Sequence, residues 1–322
     1  MGRNLPAKRY KKSNPTQRTL RFLWEAGDSE NSVYIDIAKS LSAINSKAYR
    51  QGLYYYVSKI TVQNSGNCWF RFNTLPDTYV TQNAWKRGKK VWDKMNRIAA
   101  GDSGRSIYPA YHDFKVAMSS AGAAQPGSVL ETISAIDATT IAWIPDEWAL
   151  SKYVSGDPVD GAATPSDAHF ADEFVAHMLG GDSPSSGTNL TSVGLIRSYC
   201  RTRAQRTDDT PVISADSDDD VLANLFDFGD SFDEIRDNLD EINDLAPYDA
   251  DGKPGTASVF ETVIQSQCAT GLDAGQVAVA SGFCVPFGLL QVTTKGGTDV
   301  GAVEILIELA PGPYHGVFAE NP

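Results

Sequence analysis

The stretch AVEILIEL, residues 302–309, alternates side chains strictly enough to decide its own structure. Val303, Ile305, Ile307 and Leu309 fall on one face, and Glu304, Leu306 and Glu308 on the other. A period of two belongs to a strand with one wet face, because successive side chains of an extended chain point to opposite sides. Working outward, the rhythm recurs. Val33, Ile35 and Ile37 alternate with Tyr34 and Asp36, and residues 53–63 (LYYYVSKITVQ) are aromatic and β-branched. Residues 68–73 set Cys68, Phe70 and Phe72 against Trp69 and Arg71. The turn Asn64, Ser65, Gly66, Asn67 between these two runs predicts a hairpin. Further strands are predicted at 112–118 (Phe114, Val116, Met118), 138–144 (Ile141, Trp143), 193–200, 257–265 and 276–292. Pro286 makes the last of these either an edge strand or two strands.

Two segments depart from the rhythm. Trp85, Trp92, Met95 and Ala99 recur at helical spacing, with Lys86, Arg87, Lys89, Lys90, Lys94 and Arg97 between them, which predicts an amphipathic helix over 81–99. Residues 208–251 hold 16 acidic residues and one basic residue, Arg236. There Leu225, Phe228, Phe232, Ile235, Leu239 and Ile242 follow a 3-4-3-4-3 spacing, an acidic amphipathic helix whose seam would pack on its own domain or on a neighbouring copy. Long loops rich in Gly, Pro, Ser, Ala and Asp separate the strands, with no βαβ alternation and no internal repeat. The expected fold is all-β, a jelly-roll β-sandwich with helical and long-loop insertions: a basic arm over 1–21, then a shell domain over 22–322 carrying the acidic insertion at about 208–251.

Charge is unevenly placed. The net charge is −12, yet residues 1–21 carry Arg3, Lys8, Arg9, Lys11, Lys12, Arg18 and Arg21 and no acid. Residues 1–105 hold 19 basic against 7 acidic residues, and residues 106–322 hold 9 against 33. A cationic leader on an anionic body suits a polyanion on one side and water on the other. Such a leader neutralises phosphates and releases counterions without reading sequence. A solubilising tail is the plainer reading, and Lys8, Arg9, Lys11 and Lys12 would also serve as a nuclear-import address. The basic helix offers a second surface of the same sign, or merely a solvated one. Cys68, Cys200, Cys268 and Cys284 are scattered and form no CxxC pair, as reduced core thiols would be. No 18-residue apolar run and no secretory h-region are present, so no membrane partner is expected.

Catalytic and metal motifs are weak. His169, Glu173 and His177 would share a helix face, but the histidines lie eight apart, and Phe170, Phe174 and Met178 supply an equally good core stripe. Gly101, Asp102, Ser103 and Gly104 resemble the surroundings of a serine-protease nucleophile with no triad to go with them. Asp216, Asp218 and Asp220 are spaced like calcium-loop ligands, but Val221 stands where the loop's Gly belongs. No phosphate-binding or dinucleotide-binding glycine motif occurs. No enzyme activity, metal or cofactor is expected.

The run NTLPDTYVTQNAWKRGKKVWDKMN, residues 73–96, resembles a stretch in coat proteins of circular, Rep-encoding single-stranded DNA viruses, and Pro311, Gly312, Pro313, Tyr314, His315 and Gly316 resemble it more weakly. The resemblance implies a jelly-roll capsid protein that self-assembles in many copies around a circular single-stranded DNA, with nuclear entry in a eukaryotic host and a final place in the virion. Arms of that family are often longer and richer in arginine than residues 1–21. The expected nucleic-acid contacts are Arg3, Lys8, Arg9, Lys11, Lys12, Arg18 and Arg21 of the arm with Lys86, Arg87, Lys89 and Lys90 of the helix. The alternatives are a non-viral β-sandwich that binds polyanions or carbohydrate and a hydrolase with a concealed site.

Overall fold

The computed structural model describes residues 16–25, 30–64, 67–101, 108–120, 129–133, 147–154, 170–181, 190–201, 265–272, 276–296 and 302–322. The strand quoted first, β12 (Ala302–Leu309), lies inside an antiparallel sheet between β1 (Thr19–Glu25) and β3 (Tyr54–Asn64). Its Val303, Ile305, Ile307 and Leu309 are buried, as the alternation requires. Adding β10 (Val277–Val285) gives a first sheet of order β1-β12-β3-β10. A second antiparallel sheet has the order β2-β11-β4-β9, from β2 (Asn31–Asp36), β11 (Leu289–Gly296), β4 (Cys68–Thr74) and β9 (Gln265–Leu272). One apolar cluster joins the inner faces: Leu20, Phe22, Ile60, Val62, Ile305 and Ile307 from the first sheet meet Val33, Ile35, Phe70, Phe72, Leu290 and Val292 from the second. The molecule is therefore β-rich, with a two-sheet core.

The chain changes sheet at every short connection: β1 to β2, β3 to β4, β9 to β10, β10 to β11 and β11 to β12. The predicted hairpin between residues 53–63 and 68–73 is thus not formed. Both strands carry a fully apolar face, and those faces oppose each other across the core instead of lying side by side in one ladder. The 276–292 run is two strands. Pro286, Phe287 and Gly288 make a 3-10 turn between them, with Phe287 buried at φ 57 and Gly288 at φ 71, where a Cβ would come within 3.1 Å of the Tyr55 ring.

Ile37 continues the apolar alternation yet begins a helix, α1 (Ile37–Asn45). The Asp36 carboxylate accepts from Lys39 N at 3.0 Å, an N-cap that ends the strand one residue early. The β4 and β9 strands are ladder neighbours, although residues 75–264 separate them. That excursion contains α2 (Tyr79–Ala100), β5 (Ala117–Ser119), β6 (Lys152–Val154), β7 (Phe170–Leu179), β8 (Leu190–Gly194) and α3 (Leu195–Arg201). Around β7, β5 and β8 pair parallel and β6 antiparallel. A second apolar cluster packs this layer against the sandwich through Trp85, Trp92, Phe114, Met178, Ile196, Tyr54 and Phe287.

Within the layer three expectations are corrected. Residues 170–179 form a strand, not a helix. Ala176, His177, Met178 and Leu179 are buried in succession, and a strand covered on both faces loses its period-two signature. Residues 193–200 hold the end of β8 and then α3. The switch falls at Gly194, where a Cβ would meet Gly180 O at 2.3 Å, and Ile196 and Tyr199 then bury one helical face. Of 112–118, only the last two residues lie in a strand, though Phe114, Val116 and Met118 are buried as expected. The strand expected at 138–144, the acidic segment 208–251, His169, Asp216, Asp218, Asp220 and residues 102–104 lie outside the described residues. The strand expected at 257–265 is described only from Gln265, which opens β9.

Candidate nucleic-acid interface

The predicted helix is present as α2, capped by Thr78, whose Oγ1 accepts from Thr81 N at 3.3 Å. Its apolar side is anchored at two points. Trp85 lies between Phe287 and Phe114, with ring centroids 5.4 and 5.8 Å away, and Trp92 stacks on His112 at 4.4 Å. Gly88 lets α3 approach closely, since a Cβ there would lie 3.0 Å from Leu195, and its carbonyl accepts from the Tyr153 hydroxyl at 2.9 Å. Ala99, expected on the apolar face, is exposed because the last turn runs past the core.

With this side fixed, the opposite side is set. Lys86, Arg87, Lys90, Lys94 and Arg97 are all exposed. At 100° per residue they fall within about 100° of the helix circumference. Among the described residues none of the five forms an ion pair. Lys89 differs: half-buried, its Nζ lies 5.3 Å from the Trp85 ring centroid, a cation–π contact that holds it down against the helix. Arg97 sits in the last turn, where the helix dipole favours a cation. The only acid on α2 is Asp93.

The arm residues divide. Arg3, Lys8, Arg9, Lys11 and Lys12 lie outside the described residues. Arg18 and Arg21 belong to the sandwich, because β1 begins at Thr19, inside the segment read as arm. Arg18 Nη1 donates to Leu309 O at 3.3 Å, and Arg21 Nε meets Glu304 Oε1 at 2.5 Å. Both cations are engaged by β12, so the leader proper ends near residue 15. Its root is pinned: Thr16 Oγ1 donates to His315 O at 2.9 Å, Lys47 Nζ donates to Thr16 Oγ1 at 3.1 Å, and Gln17 N donates to Asn45 Oδ1 at 2.8 Å.

Strand register places this root and α2 at one end of the sandwich. Thr19 pairs with Glu308, Leu309 with Val57 and Val285 with Tyr55, so the start of β1 is level with the end of β10. Thr74, the last residue of β4 and four residues short of the α2 N-cap Thr78, pairs with Leu290 just past the Pro286 turn. The Pro286 turn therefore lies at this end, and the other four short connections, β1 to β2, β3 to β4, β9 to β10 and β11 to β12, lie at the opposite end. Arg50 links the two features: its backbone N donates to Tyr314 Oη at 3.0 Å beside the arm root, and its guanidinium pairs with Asp113 at 3.1 Å. Asp113 chiefly, with Asp93 of α2 adding to the field, holds the Arg50 pKa above its ordinary value. Neither Lys47 nor Arg50 was marked by the sequence, where each stands as an isolated cation between strands.

Asp36 is buried and accepts from Lys39 N, Gln51 Nε2 and Trp148 Nε1, the latter two at 2.9 and 3.0 Å. Desolvation raises its pKa against these donors. Gln51 in turn brackets Val116, accepting from its N at 2.6 Å and donating to its O at 3.0 Å, which ties the inserted layer to α1. Burial pushes the Cys284 thiol up to about 11 and raises Cys68 as well. Among the described residues no three His, Cys, Asp or Glu side chains converge to hold a metal, and no helix is long and apolar enough to cross a membrane. No family model, no curated protein and no solved structure matches the chain.

Proposed function

We propose that this chain is a coat protein that assembles in many copies into a shell around a single-stranded nucleic acid, held by the cationic leader and by the exposed face of α2. The observation that carries the reading is the strand arrangement. Two antiparallel sheets, β1-β12-β3-β10 (with the two-residue strand Ala319–Glu320 also paired to β3) over β2-β11-β4-β9, with the chain switching sheet at each short connection, support reading the sandwich as an eight-stranded jelly roll. That architecture serves shell proteins because its ends accept long insertions without disturbing the core. Charge gives the orientation: the leader root and α2 share one end, so that end faces the genome. The resemblance of residues 73–96 to coat proteins of circular single-stranded DNA viruses supports DNA as the cargo, the host nucleus as the place of assembly and the virion as the destination.

The test is electron microscopy of the purified chain together with its A260/A280 ratio. Closed shells carrying nucleic acid are expected, and removal of residues 2–15 should abolish the nucleic acid while leaving β1 and the sandwich folded. A monodisperse monomer that carries no nucleic acid at any salt concentration overturns the reading. Jelly rolls also occur in carbohydrate-binding domains, and one exposed aromatic residue favours that second activity.

A further inference from the structure

The outer face of the second sheet is covered unevenly. Toward α2, Asn73 and Gln291 are buried, hydrogen-bonded to each other at 3.2 Å, and Tyr34 Oη accepts from Ser119 Oγ at 2.6 Å. Toward the four short connections the face is open. Trp69 there is 66% exposed, the most solvent-exposed tryptophan among the described residues, and Arg71 and Lys295 are exposed beside it. Lys295 is the direct cross-strand partner of Trp69, and Arg71 is two residues along on the same face. Those relations set the charges about 5 Å and about 7 Å from the indole at the Cβ level. On the far side, β9 places Gly271 opposite Trp69 and Ala269 opposite Arg71 in the ladder. Next to Arg71 in the ladder are Thr293 and then Ser32, whose hydroxyls lie 3.0 Å apart.

The outer face of the first sheet shows what an ordinary solvated face looks like here. Its cations Arg21 and Lys59 are neutralised by Glu304 and Glu308. Among the described residues Arg71 and Lys295 have no such partner, and Glu30, one residue before β2, pairs with neither. An exposed indole next to two cations that no described acid neutralises, with two hydroxyls beside them on the same sheet face, is a platform for a ring that is apolar on one face and anionic at its edge.

We propose that Trp69, Arg71 and Lys295 bind an acidic saccharide, a sulfated or uronic-acid-bearing sugar unit. The sugar's C–H face would stack on the indole, its sulfate or carboxylate would lie between the ammonium and the guanidinium, and its hydroxyls would reach Thr293 and Ser32. Preferring a saccharide to a nucleobase rests on the shell reading, which turns the opposite end of the sandwich toward the genome.

The test is a titration of the intact chain with a heparin-derived hexasaccharide and with its fully desulfated counterpart at about 0.15 M salt, near physiological ionic strength. Binding of the sulfated probe alone is expected. It should weaken about tenfold or more in W69A and in R71Q/K295Q, since each removes a whole class of interaction. It should hold within about threefold in W69F, which keeps a stacking ring, and in the α2 variant K86Q/K90Q/K94Q/R97Q. An oligo(dT) probe should show the reverse pattern. Equal saccharide binding by the wild type and both patch variants, or none by the wild type, overturns the proposal. So does an equal loss of oligo(dT) in the patch variants, which would make the occupant a nucleic acid. A W69A chain that loses self-association would make it a second copy. If the chain never assembles, the shell reading fails while the titration still reports on the monomer.

Discussion

Trp85 of α2 lies nearly parallel to Phe287, with ring centroids 5.4 Å apart and planes at 25°, so the basic helix is locked onto the turn where the chain passes from β10 to β11. Gly52 completes the seat: at φ 93 it presents its bare Cα to the indole, and a Cβ there would fall 2.0 Å from Trp85 Cζ2. Trp85→Ala should cost about 3–5 kcal/mol, the usual range for emptying a large aromatic site. Gly52→Ala should also destabilise the native protein, but clearly less in the Trp85→Ala background, where the overlap has gone. Urea denaturation of the four proteins checks the sign of that coupling, and simple additivity would refute the close approach.

Arg21 is committed to Glu304, so it should be a poor genome ligand. Arg21→Ala is expected to leave nucleic-acid co-purification unchanged and to cost no more than about 1 kcal/mol, as a partly exposed ion pair does. Replacing Lys8, Arg9, Lys11 and Lys12 by Gln should remove most of the co-purified nucleic acid. An Arg21→Ala shell stripped of its cargo would return the arm boundary to residue 21.

Neutralising the α2 stripe should change how binding responds to salt. For a single strand, every phosphate that the protein ceases to neutralise lowers the slope of log K against log salt by about 0.7. The variant K86Q/R87Q/K90Q/K94Q/R97Q should therefore show a visibly flatter slope with oligo(dT), and a Lys89→Gln variant little change. Filter binding from 50 to 300 mM salt measures it, and an unchanged slope would leave the helix face merely solvated.

Asp36 faces donors on every side, from Lys39 N, Gln51 Nε2 and Trp148 Nε1. Asp36→Asn turns one acceptor into a donor, and Gln51 cannot flip to meet it without breaking both bonds to Val116. A loss of about 1–3 kcal/mol is expected, the cost of a buried unsatisfied group. Calorimetry should show a lower transition temperature, with α1 and the inserted layer losing protection from hydrogen exchange first.

Cys284 gives a pH readout. With burial holding its pKa at about 11, the thiolate is nearly absent at pH 8, and alkylation should run about a hundredfold slower than for an ordinary thiol. The rate should rise with pH until it levels off near 11. Peptide mapping after timed iodoacetamide treatment at pH 8 and pH 10 follows this residue alone, and fast labelling at pH 8 would contradict its burial.

Strands with one wet face could be read directly: Val303, Ile305 and Ile307, or Phe70 and Phe72 against Trp69, declare their partners by alternation. The helix α2 was equally plain, because Trp85 and Trp92 lie a heptad apart on one side. What could not be read was which sheet a strand joins, since residues 64–67 look the same whether the chain turns back beside itself or crosses the core. Burial on both faces hid β7, and a single carboxylate, Asp36, rather than any periodicity, converted Ile37 from strand to helix. Of the candidate interface, the cations on α2 were legible because helical spacing puts them on one side. The engagement of Arg18 and Arg21 was not, because their neighbours on β12 lie nearly 300 residues away in the chain.

The pairing of β4 with β9 across residues 75–264 has a consequence for synthesis. A ribosome adding about 5–20 residues per second needs roughly 10–40 s to emit the intervening chain. Throughout that interval β1 to β4 have left the exit tunnel without the strands that complete either ladder, and their open edges invite neighbouring nascent chains on the same polysome. The inserted layer, whose apolar cluster also takes in Tyr54 of β3, can collapse against that strand and shelter it in part. The yield of folded chain should then depend on the pace of translation through the excursion, and slow codons there would favour aggregation over folding.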